Sequence, residues 1–133
     1  MKADNIYYVG TLQDLGSPFS SLYVNGESRQ LYIFVRLSNF GLAGQNYVAA
    51  EIAPDEVRAY MQDNLGLTDI LSNRKCLYLK IIDNQIIIEK RADYKQNEKI
   101  AKLNFFDPEL CDDEVWMETF LDRISSGKPL EIA

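Results

Sequence analysis

The 133-residue chain has no histidine. Imidazole is the usual general base near neutral pH, so its absence removes Ser-His and Cys-His nucleophile pairs and the imidazole ligands of most catalytic zinc sites. Cysteine is almost absent as well. Cys76 and Cys111 stand far apart with no C-x-x-C partner, which excludes a disulfide framework and a zinc ribbon and fits a reducing compartment; one bond between the two stays open. No window approaches the roughly 18 consecutive apolar residues of a membrane span. The opening MKADNIYYVG carries no apolar core of an export signal, so the expectation is a soluble, cytoplasmic chain. P-loop, G-x-S-x-G and G-x-G-x-x-G motifs are missing, and no cofactor is expected.

What is present is the composition of a folded domain. Apolar residues make up 47%, charged residues 26% and aromatics 11%, which excludes a disordered chain. The length predicts one domain over 1–133. The net charge of −6 is unevenly spread. Residues 1–73 carry 4 basic and 8 acidic side chains, residues 74–102 carry 8 and 4, and residues 103–133 carry 2 and 8. Between Asp107 and Asp122 lie seven acids and no base. Such asymmetry points to partner binding or to internal docking of unlike surfaces.

Alternating apolar residues predict strands over 6–11, 19–24 and 29–37, with a hairpin loop over 25–28 where Asn25-Gly26 tolerates positive φ. That loop sets Leu22 opposite Leu31 and Phe19 opposite Phe34. Leu31, Ile33, Val35 and Leu37 form one face of the third strand and Tyr32, Phe34 and Arg36 the other, so this strand is central. A fourth strand spans 47–52. A helix then opens at Pro54 with Asp55 and Glu56 in its first turn, runs on a stripe of Val57, Tyr60, Met61 and Leu65, and ends at a Gly66 cap; a short helical turn follows over 67–72. KCLYLKII and QIIIEKR form a second hairpin, with Leu79 facing Ile88 and Ile81 facing Ile86. Residues 92–106 read as loop and then strand. The last element is an amphipathic helix with Trp116, Met117, Phe120, Leu121 and Ile124 on its stripe, closed by Arg123 and Gly127. The expected fold is α+β: a curved, mainly antiparallel sheet of five to six strands, a helix inserted after strand 4, and a C-terminal helix packed on the sheet.

Tyr8, Gly10, Leu12, Pro18, Tyr32, Pro54, Glu56 and the run 67–71 give the first half a pattern that resembles an uncharacterised family of small bacterial domains. That family has a Y-x-G-x-L start, a proline, a G-x-x-Y-L strand, a P-V-S-x-E-x-L helix entry and an L-R-x-x-L finish. The resemblance implies a bacterial or phage origin. It brings no assigned reaction and therefore no catalytic residue.

Two features are candidates for partner binding. Phe40 and Leu42 stand between glycines in FGLAG, where an apolar pair can enter a groove or fold back over the sheet end. Asp107, Glu109, Asp112, Asp113 and Glu114 crowd the start of the last helix, where they can meet a basic protein surface; part of that excess has a local cause, because acids stabilise a helix N-terminus. The leading expectation is a non-enzymatic interaction module, accessory or inhibitory, whose partner is another protein; a homodimer is compatible. The alternative is RNA or single-stranded nucleic acid held by the basic hairpin 75–102. There Lys75, Lys80, Lys90, Arg91, Lys95, Lys99 and Lys102 interleave with Tyr78 and Tyr94, against a chain whose overall acidity opposes such binding. A third reading, a carboxylate-dependent hydrolase using Asp55 with Glu56 or Asp112 with Asp113, has no metal-loop motif to support it. Cys111 sits among acids that raise a thiol's pKa and reads as structural.

Overall fold

A computed structural model describes residues 5–15, 18–37, 45–72, 74–94, 104–111 and 113–130. Six strands, β1 (Ile6–Asp14), β2 (Pro18–Asn25), β3 (Leu31–Arg36), β4 (Gln45–Ile52), β5 (Lys75–Ile82) and β6 (Gln85–Asp93), form one open antiparallel sheet in sequential order. Helices α1 (Pro54–Met61) and α2 (Leu67–Ser72) are inserted after β4, and α3 (Glu114–Ser126) follows a 3₁₀ turn at Pro108–Leu110. The fold is the α+β arrangement expected.

The period-2 pattern divides β3 between two apolar layers. Leu31, Ile33 and Val35 join the main core with Val57 and Tyr60 of α1, Ile70 and Leu71 of α2, and Met117, Phe120 and Leu121 of α3. Phe34 and Tyr32 face the other way, into a smaller cluster with Tyr47, Ala49, Leu79 and Ile86 that contains no helical residue. All three helices therefore cover one face. Phe120, with 0% exposure, is typical of that layer, and burying a side chain of this size stabilises by about 1.5–3 kcal/mol.

Several expectations need correction. In the first hairpin Leu22 pairs with Ile33 and Val24 with Leu31, two residues away from the predicted register. The loop is 26–29: the Asn25 side chain accepts from the N–H groups of Glu27 and Ser28, and Arg29 takes φ 65°. Because the shift is even, Leu22 keeps its face, whereas Phe19, expected opposite Phe34, packs in the main core. Strand β1 continues past Thr11 to Asp14, with register irregularities at Tyr8/Gly10, Thr11/Gln13 and Gln13/Asp14. Helix α1 stops at Met61 with Asp63 at φ 63°, so Gly66 is not its cap; Gly66 lies against the Asn104 side chain, too close to admit a Cβ. Of 92–106, Ala92 and Asp93 finish β6, Asn104 to Phe106 is irregular rather than strand, and 95–103 lie outside the described residues. Leu79 does face Ile88 and Ile81 does face Ile86. The stripe and the left-handed Gly127 cap of α3 stand as read. Cys76 is buried and Cys111 half-buried, and no disulfide joins them.

Candidate functional site: an acidic strip along the first strand

The chain between the 3₁₀ turn and α3 runs alongside β1 in the opposite direction, held by side chains that bond backbone. Gln13, with 0% exposure, receives the Asp107 N–H on Oε1 at 2.8 Å and donates from Nε2 to the Asp107 carbonyl at 2.9 Å. This two-point contact imitates one rung of a β-ladder. Further along, the Cys111 thiol points at the Thr11 carbonyl, and Trp116 Nε1 donates to the Val9 carbonyl at 3.1 Å. An edge strand offers unpaired backbone groups, and here side chains cover several of those of β1.

This lay-out brings the predicted acids into one strip and sorts them. Asp107 accepts from the Glu109 N–H and caps the 3₁₀ turn; Asp113 accepts from the Trp116 N–H at 2.9 Å and caps α3. Deeper in α3, Glu118 and Asp122 reach Arg58 of α1 at 3.7 and 2.8 Å, so part of the acidic excess does serve internal docking. Glu109 and Glu114 are exposed, and neither carboxylate bonds another described residue. Asp112, like Phe40 and Leu42, lies outside the described residues.

Sequence reasoning missed the apolar component. Tyr7, Tyr8, Leu15, Phe105 and Val115 are five of the six large apolar side chains left exposed among the described residues, Phe105 at 56% and Val115 at 77%. All lie on β1 or on the segment beside it. Leu15 is two residues from Gln13 and Phe105 two from Asp107, at one end; Val115 adjoins Trp116, whose indole reaches the Val9 carbonyl, at the other, while the Tyr8 ring packs on Tyr23 at the face away from the helices. Scattered exposed apolar residues are ordinary, whereas their gathering on one edge marks an interaction surface. The signal in sequence was an unbalanced apolar residue inside an acidic helix start, DDEVW.

The other candidates fare differently. Tyr78 and Tyr94, expected to stack bases, are buried at 7% and 8% exposure in the main core, with Lys90 Nζ 4.9 Å from the Tyr78 ring centre. They present no open ring face. Glu56 is a clamp: it accepts the Ala53 N–H at 3.0 Å and holds both terminal nitrogens of Arg74, and the Arg74 bond followed by the Ala53 bond keeps its carboxyl below the ordinary value despite partial burial. Burial, chiefly, raises the phenols of Tyr23 and Tyr60, so both stay protonated at neutral pH. Among the described residues no three potential metal ligands converge, and no helix is long and apolar enough to cross a membrane.

No family model, curated protein or solved structure matches the chain.

Proposed function

We propose that the protein is a non-enzymatic interaction module whose contact surface is the acidic strip beside β1 and whose partner is a protein presenting a basic surface with apolar side chains. One observation carries the reading: exposed Leu15 and Phe105 at one end and Val115 at the other lie along the same strip as exposed Glu109 and Glu114, whose carboxylates bond no other described residue. Apolar anchors give affinity by leaving water, and a like-signed field around them steers a basic partner and rejects acidic ones. The resemblance of the first half to small bacterial domains adds the setting, an accessory or inhibitory protein of a bacterial or phage system.

The test is affinity capture from a bacterial lysate at low salt, comparing the natural chain with Glu109→Lys/Glu114→Lys and with Val115→Asp. These substitutions spare the capping acids; Glu114→Lys places a cation in the first turn of α3 at a cost of about 0.3–1 kcal/mol, and a thermal melt of each variant checks that the fold is retained. A specific partner that is captured by the natural chain and lost with both variants supports the reading. Retention of every captured protein by both variants removes it.

A further inference from the structure

A separate hollow lies on the sheet face away from the helices. Ala49 of β4 stands between Phe34 on β3 and Leu77 on β5. Its methyl group leaves a depression of about 290 Å³, near the lower bound of small-molecule sites. Tyr32 and Leu77 supply its apolar walls, and Glu51, Arg74, Lys75 and Arg91 its charged rim.

The four charges differ in what they can offer. Arg74 is matched by Glu56 and also bonds the Glu51 carbonyl, so it is fixed and neutralised. Lys75 reaches Asp93 at 3.1 Å in a pair whose side chains are 61% and 79% exposed, a contact that exchanges readily with solvent or a ligand. Arg91 forms no ion pair among the described residues, and it lies close enough to Tyr32 to oppose the upward push that burial and Glu51 give that phenol. Arg91 and Lys75 stand against Glu51 and the Asp93 that pairs with Lys75, so the rim balances, and Arg91 is its one cation with no ion pair among the described residues.

We propose that this hollow binds a small monocarboxylate with a planar apolar body, its carboxylate on the Arg91 fork and Lys75, its body over Ala49 against Tyr32 and Leu77. A guanidinium fork matches a carboxylate in geometry. A dianion meets Glu51 after one charge is matched, and a polyanion meets the field of the whole chain, so a single charge fits best. The site lies on the opposite face to the helices, away from the acidic strip, and does not depend on the partner reading.

The experiment titrates benzoate, with benzylamine and phenyl phosphate in parallel, into the ¹⁵N-labelled protein and follows amide shifts. The expected result is saturable benzoate shifts centred on Tyr32, Ala49, Leu77 and Arg91, weakened about tenfold or more by Arg91→Gln and less by Arg91→Lys. Arg91 is exposed, so both variants fold. Shifts that do not saturate, equal binding of benzylamine, tighter binding of phenyl phosphate, or an unchanged affinity in Arg91→Gln would each overturn the assignment.

Discussion

Replacing Gln13 by leucine tests the attachment of the acidic strip to the sheet. The substitution keeps the side-chain volume at a position with 0% exposure and removes both bonds to the Asp107 peptide, together with the Nε2 bond to the Leu12 carbonyl at 2.6 Å. Each such bond contributes a net of about 0.5–1.5 kcal/mol. Asp107 itself is exposed, so water can meet part of its orphaned peptide. The two bonds to Asp107 alone, at about 1 kcal/mol each and with little cavity, give a loss of at least about 2 kcal/mol, which for a domain of this size lowers Tm by roughly 6–10 °C or more. Urea unfolding of the two proteins measures it, and amide exchange at Asp107 should accelerate. Gln13→Glu should cost more at neutral pH, because a buried carboxylate can donate to neither carbonyl. Burial raises the pKa of that glutamate in the folded state, so its penalty is full above the folded value and eases as pH falls through it. A loss in Gln13→Leu below about 0.5 kcal/mol would refute the stapling role.

Other outcomes follow from single contacts. Gly127→Ala should destabilise by about 1 kcal/mol in urea unfolding; its Cβ meets nothing within 4 Å, so the cost is that of φ 71° alone. Glu56→Gln should lose on the order of 1 kcal/mol at pH 7. Because the folded pKa of Glu56 lies below its unfolded value near 4.3, the clamp's contribution is present above that value and lost as pH falls through the folded one, and the gap between wild type and variant should close in acid. Under native conditions a thiol reagent should modify Cys111 well before Cys76, which has 0% exposure; equal rates would contradict the placement of Cys76 in the core.

What could be read from the sequence depended on whether the decisive contact was local. The β5–β6 pairing was fixed by the short connection at Asp83-Asn84, both at positive φ, and α3 announced itself through its stripe and Gly127. The first hairpin was misaligned because Arg29 holds the left-handed position, a conformation that sequence rules assign to glycine or asparagine. Strand β1 runs three residues past its expected end at Thr11, and only the distant partner Asp107 makes a buried amide at Gln13 sensible. The same long-range contact explains the site. The acids were visible as a run, yet the exposed apolar residues of β1 that stand beside them come from the opposite end of the chain.

The most direct test of the central claim is titration of the ¹⁵N-labelled protein with a lysine- and leucine-alternating peptide at low salt, read by amide shifts. Saturable changes concentrated on 104–116 and on β1, abolished in Glu109→Lys/Glu114→Lys and weakened by salt, are the predicted result. Shifts spread evenly over all acidic positions, or persisting in that variant, would contradict it.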